Sequence, residues 1–309
     1  MSANDQAQRQ ARFLEAVRTA LADYVKQRAR DPTPGAGEVE FPSASLHADA
    51  RPRFTMSLPY SLVEQDLGAA HLFYHDVVGR GFEFGLRRFL DLHLSSDDVF
   101  IDVGAHWGVH ALTAATVHPQ QVSVLAVEAH PDNFARLRQW VERNGLTGDI
   151  DVVCSAIGDR DGKARLWTSG SSMGHSIRDE GHEPSSTAVE VDVTTIDRMV
   201  AQRAHLRWRR FMLKIDVEGN ELEALRGAQE LFSREHVAAV IWEKSAFHGA
   251  TSQSERDRAL WEFLDSRGFR HFRMQDDNVG GPLLPIDDRQ VMGNVFSLAP
   301  DVMPRSRYG

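Results

Sequence analysis

The stretch VFIDVGAHWG, Val99–Gly108, decides the fold of this 309-residue chain. A short apolar run leads to Asp102, and two glycines, Gly104 and Gly108, follow it closely. Glycine takes the backbone angles of a sharp turn without a steric penalty, and it lets another group approach the backbone. The stretch therefore predicts a buried strand that turns sharply into a helix.

Short apolar runs rich in valine and isoleucine alternate with longer amphipathic stretches in the rest of the chain. The runs lie at 122–127, 151–154, 211–215 and 237–242, and the predicted helices lie at 106–117, 131–144, 219–232 and 254–267. Apolar runs separated by helices are typical of parallel strands covered on both faces. Two later runs, 269–274 and 291–298, would form an antiparallel hairpin. We therefore predict an α/β chain with a doubly wound, Rossmann-like, mainly parallel sheet of seven strands.

The N-terminal part of the chain does not show this alternation of apolar runs and amphipathic stretches. Residues 3–30 carry apolar side chains at nearly helical spacing, and a segment rich in Pro and Gly, 31–37, interrupts them. Residues 38–60 show no clear period. We therefore expect an N-terminal helical accessory region over residues 1–60 and one α/β domain over residues 61–309.

The composition narrows the classes of partner. The formal net charge is −9, whereas nucleic-acid-binding proteins usually carry a basic surface, so we expect no nucleic-acid partner. No segment approaches the ~18 apolar residues that a membrane helix needs. The single cysteine, Cys154, lies in an apolar run and is predicted to be a buried core thiol. A chain without a disulfide fits a reducing compartment, and we expect a cytoplasmic protein with no membrane partner.

The second predicted strand ends at Glu128. In open α/β sheets, ligands bind beyond the carboxyl ends of the strands. An acidic residue at this place, ~20 or more residues past the glycines, can accept both hydroxyls of a ribose. The turn and Glu128 together predict a cofactor that contains a nucleoside. For the glycines alone, a tight turn without a ligand is the alternative.

The spacing of the glycines separates two classes of cofactor. A dinucleotide fingerprint has Gly-x-Gly-x-x-Gly around the pyrophosphate, whereas Gly104 and Gly108 leave out the middle glycine. S-adenosylmethionine (SAM) has no phosphate, and the ammonium of its methionine half suits an acid such as Asp102. SAM is therefore the predicted cofactor, and a nicotinamide-dependent oxidoreductase is the alternative.

Five blocks of the sequence, in their order and spacing, resemble the FkbM-type methyltransferases. They are FIDVGAHWG (100–108), VEAHPDNF (127–134), AIGDRDG (156–162), TTID (194–197) and LKIDVEGNE (213–221). The resemblance covers about residues 80–298, and His106 departs from it because the family usually has asparagine there. It implies a class I SAM-dependent methyltransferase domain over residues 61–309.

The resemblance also implies which residues hold SAM. The methionine part would lie against Asp102 and the loop formed by Gly104, Ala105, His106 and Gly108. Glu128 would hold the ribose. The adenine would be flanked by Ser155 and Ala156, just past the third predicted strand.

The fourth predicted strand ends in KIDVEG, Lys214–Gly219. Because side chains alternate along a strand, Lys214 and Asp216 should point to the same side. Glu218 is expected at the start of the following helix, where the helix dipole favours a carboxylate cap.

Methyl transfer to an alcohol requires an aligned nucleophile and a group that takes its proton. Three residues at the ends of the fourth and fifth predicted strands are candidate bases, in the order Asp216, Glu243 and His248. Alternatively, Asp216 and Glu243 could hold a divalent cation that acidifies the alcohol. The ligand set is incomplete, so a metal is the minority interpretation.

A long polar loop, residues 169–186, contains several glycines and follows the third strand. Loops of this length inside a compact domain are often functional lids, and we predict that this one closes over the substrate.

These patterns together predict a SAM-dependent O-methyltransferase. Its partner would be a hydroxylated small molecule, either a natural product such as a polyketide macrocycle or a sugar. This substrate class rests on the resemblance alone. Besides the oxidoreductase, a SAM-binding scaffold without catalysis is an alternative.

Overall fold

The structure, a computed structural model, describes residues 3–28, 38–42, 54–78, 81–168, 171–177, 187–244, 252–276, 280–289 and 291–305. The chain divides into two compact units. The smaller one comprises Met1–Glu83 with Gly170–Met173, and the larger one comprises Phe84–Ser169 with Gly174–Gly309. The smaller unit thus continues past residue 60, where the sequence places the end of the accessory region, and it takes in a short piece of the polar loop.

In its described residues, the smaller unit has three α-helices, a π-helical turn and a two-stranded antiparallel sheet. Its elements are α1 (Ala3–Arg28), β1 (Glu38–Pro42), β2 (Thr55–Pro59), α2 (Tyr60–Gln65), α3 (Leu67–Phe73) and a π-helical turn (Tyr74–Val78). Asp66 caps α3 by accepting a hydrogen bond from the backbone N–H of Ala69. The same carboxylate accepts hydrogen bonds of 2.6 and 2.7 Å from the backbone N–H and hydroxyl of Ser172. One side chain therefore starts a helix and anchors the piece of loop.

The larger unit carries the predicted α/β pattern. Its strands are β3 (Val99–Val103), β4 (Ser123–Glu128), β5 (Ile150–Cys154), β6 (Ala156–Ile157), β7 (Gly162–Thr168), β8 (Thr187–Thr194), β9 (Phe211–Ile215), β10 (Val237–Lys244), β11 (Arg270–Met274), β12 (Leu283–Pro285) and β13 (Gly293–Leu298). Its helices are α4 (Phe84–His93), α5 (Val109–Val117), α6 (Pro131–Arg143), α7 (Ile196–Ala201), α8 (Glu221–Arg226), α9 (Gln229–Ser233) and α10 (Ser252–Asp265), with a 3₁₀ turn at Ala204–Leu206.

The main sheet confirms the doubly wound, Rossmann-like prediction. Its eight strands run in the order β12-β11-β13-β10-β9-β3-β4-β5, and the five from β10 to β5 are parallel. The predicted hairpin is present, because β13 pairs antiparallel with both β10 and β11. The sheet has one strand more than the predicted seven, namely β12, which pairs with β11. The chain reverses its direction of winding between β3 and β9, so ligands are expected at the carboxyl ends of these strands.

The central strands are apolar because both faces of the sheet are covered. All five residues of β3 and all five of β9 are buried. On one face, Trp242 of β10 packs against Trp261 of α10 with ring centroids 5.0 Å apart. No helix in the described part of the chain is long and apolar enough to cross a membrane.

Three features differ from the sequence predictions. The helix predicted over 219–232 is two short helices, α8 and α9, which are separated at Gly227 and Ala228; a Cβ at Gly227 would lie 2.2 Å from the carbonyl oxygen of Gly158. A small sheet, with the order β6-β8-β7, was not predicted. The prediction that Cys154 is a buried thiol is wrong: it is exposed, since β5 forms the edge of the main sheet.

Candidate active site

The ends of β3, β4 and β9 bring the predicted site residues together. Asp102 of β3 lies in register with Lys214 of β9 on one side and with Ala126 of β4 on the other. Glu128 ends β4, and Asp216 follows β9 directly. Four charged residues, Asp102, Glu128, Lys214 and Asp216, therefore lie near the carboxyl ends of three neighbouring strands, although they span more than 100 residues of sequence.

The Glu128 carboxylate ties the glycine loop to the end of β4. One oxygen, Oε2, accepts a hydrogen bond of 2.8 Å from the backbone N–H of His106, and the other, Oε1, accepts one of 2.8 Å from His130. The side chain is buried, and burial raises the pKa of this carboxyl to about 7. A carboxylate has about four acceptor positions, so each oxygen keeps one for a further donor.

The glycine loop makes the predicted sharp turn. Gly104 and Gly108 have φ angles of 76° and 88°, and His106 has a φ of 51°. A Cβ at Gly104 would lie 1.9 Å from the carbonyl oxygen of Asp216, and one at Gly108 would lie 2.3 Å from the Cδ1 of Leu137. The glycines are thus required by the turn and by close packing within the chain, and their approach to a ligand stays a prediction.

The remaining loop residues hold the turn in place. Ala105 is buried, and its backbone N–H donates to the carbonyl of Val127. The His106 ring stacks on Trp107, with centroids 4.5 Å apart, and the Trp107 indole donates to Asn133. The histidine that departs from the family pattern therefore has a packed ring and a backbone bonded to Glu128.

A buried lysine lies between two carboxylates at the centre of the site. The Nζ of Lys214 is 3.2 Å from Oδ2 of Asp216 and 3.7 Å from Oδ1 of Asp102. The prediction that Lys214 and Asp216 point to the same side is confirmed. The Asp102 side chain has no exposed surface, whereas that of Asp216 is 32% exposed. The cation that Asp102 faces belongs to the protein itself, and its role toward the methionine part of SAM stays a prediction.

The segment after β9 is held by an acid to which the sequence analysis gave no role. The prediction that Glu218 caps a helix is wrong, because α8 begins at Glu221 and Glu218 has a φ of 53° in the preceding turn. The Glu221 carboxylate instead accepts hydrogen bonds from the backbone N–H groups of Val217 and Gly219. Burial raises its pKa to about 7. The glutamate one residue after Gly219-Asn220 was the available signal, since a carboxylate at a helix start can reach back to free N–H groups.

Ser155 and Ala156 follow the end of β5, and Ser155 lies beside Glu128. The backbone N–H of Ser155 donates to the carbonyl of Glu128, and its hydroxyl donates to the carbonyl of Asp192 at 2.9 Å. Both residues are buried. Their expected contact with an adenine stays a prediction.

Of the other two candidate bases, only Glu243 is within the described residues. It is exposed near the end of β10, whose Trp242 pairs with Ile215 of β9, so the next register position sets Glu243 beside Asp216. His248 lies outside the described residues. Among the described residues, no group of three or more His, Cys, Asp or Glu side chains could hold a metal ion.

The described part of the polar loop, residues 171–177, reaches the ends of β4 and β9. His175 stacks on His130 with ring centroids 4.3 Å apart. The hydroxyl of Ser176 donates to the carbonyl of Glu218 at 2.8 Å, and its backbone pairs with Trp167 of β7. Residues 169–170 and 178–186 of the loop lie outside the described residues. The predicted closure over substrate stays a prediction.

Comparison with known proteins points to one family. The family model described as the methyltransferase FkbM domain matches residues 102–271. A hexuronic acid methyltransferase, AglP of Haloferax volcanii, is 28% identical over 148 residues, which are 48% of this chain and 56% of the relative. The chain therefore spans about half the length of this relative.

Two solved structures are similar over most of the chain. A methyltransferase FkbM from Methylobacillus flagellatus is 19% identical, with a TM-score of 0.46, and the match covers 74% of this chain and 51% of that one. A SAM-dependent methyltransferase from Aquifex aeolicus is 14% identical, with a TM-score of 0.37, and the match covers 76% of this chain and 94% of that one.

Proposed function

Because the chain belongs to the FkbM methyltransferase family, we propose that it transfers a methyl group from SAM to a hydroxyl of a small molecule. The observation that carries the proposal is the carboxylate of Glu128 at the end of β4. It is buried beside the glycine loop, and each of its oxygens accepts one backbone N–H. Each oxygen keeps an acceptor position, which suits the two neighbouring hydroxyls of a ribose.

The residues at the sheet edge fit SAM in chemistry as well as in position. Glu128 would accept the ribose hydroxyls, and Ser155 and Ala156 would lie near the adenine. The carboxylates of Asp102, Glu128 and Asp216 outnumber the one buried ammonium, that of Lys214, and this excess of negative charge suits a donor with a sulfonium and an ammonium. When bound, SAM supplies a methyl group on a positively charged sulfur, from which a nucleophile can displace it.

Asp216 is the residue that we propose acts on the hydroxyl of the methyl-accepting substrate. It follows the central strand β9, and its side chain is partly exposed while its neighbour Lys214 is buried. A carboxylate there can take or polarise the proton of an alcohol as the oxygen attacks. Glu243 lies at the adjacent register position and is the second candidate. A divalent cation held by Asp216 and Glu243 stays the minority interpretation.

The acceptor that we propose first is a sugar, because the relative from Haloferax volcanii methylates a hexuronic acid. A hydroxylated natural product such as a polyketide macrocycle is the second class. Both offer an aliphatic alcohol, which needs the base that Asp216 would supply.

Two measurements test the proposal. Calorimetry with SAM, S-adenosylhomocysteine (SAH) and NAD separates a SAM enzyme from the nicotinamide-dependent alternative, and we expect binding of SAM and SAH only. Incubation with methyl-labelled SAM and a panel of glucuronic acid, glucose and a hydroxylated macrolide then tests transfer. Glucose offers hydroxyl groups only, and glucuronic acid adds one carboxyl group, whose methyl ester is cleaved by base. Base-stable label in a product of either sugar therefore indicates an ether and transfer to a hydroxyl, while binding of SAM without any transfer would favour a scaffold.

A further inference from the structure

Lysine is rare in this chain, and one lysine is buried in the site. The sequence has four lysines among 35 basic residues, the other 31 being arginine. The side chain of Lys214 is 5% exposed, whereas those of Lys26 and Lys163 are 73% and 63% exposed. Lysine is almost never fully buried unless it is paired. Its partners should therefore explain why it is there.

The partners of Lys214 are the two aspartates of the site. Asp102 lies behind the ammonium, with no exposed surface, and its two oxygens have no hydrogen-bond partner among the described residues. Asp216 lies on the open side, closer to the ammonium and partly exposed. Lys214 therefore lies between the buried carboxylate of Asp102 and that of Asp216, which is exposed enough to contact a methyl-accepting substrate.

We propose that Lys214 is the positioning residue of the active site, whose ammonium holds the Asp216 carboxylate in its working orientation while Asp102 supplies the buried counter-charge. The proposal rests on the proposed function, in which Asp216 acts on the acceptor hydroxyl. A compact ammonium with three donors can hold one carboxylate while it faces another, whereas a planar guanidinium is larger and binds in a fork.

Backbone hydrogen bonds fix the position of Asp216 but not the orientation of its side chain, and Lys214 can fix that orientation. The backbone N–H of Asp216 donates to the carbonyl of Val103 at 3.0 Å, and Asp102 pairs in register with Lys214. These bonds set the backbone positions of all three charged residues. A carboxylate on a short, partly exposed side chain still rotates unless a neighbour holds it, and reactive geometry is sensitive to such rotation.

The variants must separate positioning from folding. Lys214→Met alone leaves Asp102 buried without a cation, which destabilises the fold. The paired variant Asp102→Asn/Lys214→Met removes both buried charges and keeps Asp216. Lys244→Met is the matched control, because Lys244 ends the neighbouring strand β10 and donates to a backbone carbonyl, that of Arg289.

The first measurement follows the lysine itself. Protein labelled with ¹⁵N at the lysine Nζ gives at most four ammonium signals. We expect the Lys214 signal to exchange slowly with water and to shift when Asp216 is changed to Asn. Lys163, an exposed lysine paired with Glu190 at 2.8 Å, is the internal control for ion pairing without burial. A Lys214 signal that exchanges as fast as that of Lys163, or that does not respond to Asp216→Asn, overturns the proposal.

The second measurement is a double-mutant cycle on methyl transfer, with the acceptor found in the panel above. If Lys214 acts through Asp216, the paired variant lowers kcat, measured at saturating SAM, by about tenfold or more when Asp216 is present. In the Asp216→Asn background it should lower kcat no further. An equal loss in both backgrounds overturns the proposal. Since the ammonium spectrum needs no acceptor, it can support or overturn the role of Lys214 even where the proposed transfer fails.

Discussion

The backbone N–H of His106 and the carboxylate of Glu128 are joined by a hydrogen bond of 2.8 Å. The acid expected to hold the ribose therefore also holds the glycine loop. Its second oxygen holds the start of the next segment through His130. Any substitution of Glu128 is then expected to change both the ligand site and the conformation of the loop, and the two effects have to be measured separately.

Glu128→Ala is expected to weaken SAH binding by about 1–3 kcal/mol, the scale of charged hydrogen bonds lost in a site. It should also lower the melting temperature, since two backbone N–H groups lose their acceptor. Calorimetry gives the first quantity and thermal unfolding the second. Glu128→Gln is the matched variant, because its one amide oxygen still accepts a hydrogen bond. If SAH affinity in the alanine variant equals that of the wild type, Glu128 does not bind the ribose.

The exposed thiol of Cys154 offers a probe of the same place, because Cys154 pairs with Glu128 across β4 and β5. Although the residue is exposed, partial desolvation of its sulfur, followed by the charges of Glu128 and Asp192, raises the pKa of this thiol. We expect one thiol per folded chain to react with Ellman's reagent, with a rate that still increases above about pH 9. Bound SAH should slow the reaction. Equal rates with and without saturating SAH would place the ligand away from the end of β5.

Glu221 makes a pH dependence testable. Its pKa is raised from 4.5 to about 7 by burial, so the folded chain binds more protons at this group than the unfolded chain between these values. Its contribution to stability is therefore present at low pH and is lost as pH rises through this window. Glu221→Gln does not titrate. We expect the free energy of unfolding of this variant, minus that of the wild type, to increase by about 1.4 kcal/mol for each unit that pH rises from about 5 to 7.

Urea unfolding of both proteins at several pH values measures this difference. Buried histidines also change stability with pH, but they are present in both proteins and cancel in the comparison. Glu142→Gln is the control, because Glu142 is exposed on α6. A stability difference for Glu221→Gln that is constant across the window contradicts the prediction.

Asp216→Asn keeps the size of the side chain and removes its charge. If Asp216 takes or polarises the acceptor proton, the methylation rate should fall by ~10²–10⁴-fold, with SAM affinity changed by less than about tenfold. The assay is initial rate at saturating SAM. EDTA separates the metal interpretation: there, it should abolish wild-type activity, and Mg²⁺ or Mn²⁺ should restore it. If Asp216→Asn is fully active and EDTA does not change the wild-type rate, Asp216 is neither the base nor a metal ligand, and Glu243 and His248 become the candidate bases.

Deletion of residues 172–183 is expected to abolish turnover and leave SAH affinity within about threefold, because lids act on the closed complex. A milder change is Ser176→Ala, which removes the hydroxyl that donates to the carbonyl of Glu218. It should lower kcat several-fold. Ser171→Ala, in the same segment, is its control. Normal turnover by the deletion variant would show that the loop is not a lid.

The sequence predicted the strands and helices of the main sheet because continuous apolar runs and amphipathic stretches differ strongly. It predicted the place of Glu128 and Asp216 for the same reason, since a strand end can be read from the pattern. The small sheet was missed because the strands were sought as continuous apolar runs, whereas β8 alternates Val189, Val191 and Val193 with Glu190 and Asp192, as a strand with one exposed face does. The break between α8 and α9 falls at Gly227, and periodicity does not reveal it because buried apolar residues continue on both sides, Leu222 and Leu225 before it and Leu231 and Phe232 after it.

The side-chain network of the site was also beyond the sequence. That Asp102 faces Lys214 depends on the pairing of β3 with β9, strands more than 100 residues apart. That Glu221, and not Glu218, holds the turn depends on where α8 begins, which is the least certain feature of any helix pattern. A sequence pattern shows which residue lies at a strand end, whereas the side chains that this residue contacts depend on which strands pair with each other.

The bonds from Asp66 to Ser172 have a consequence for the newly made protein. The smaller unit includes Gly170–Met173, so its chain is not complete until the ribosome has passed those residues. At roughly 5–20 residues per second, the first 83 residues wait several seconds or more for their last partner. In the folded protein, Ser172 and Met173 pack against the Cα of Gly68, and until they are synthesised this contact is missing. The smaller unit therefore receives its last residues only after strands β3 to β7 of the larger unit have been synthesised.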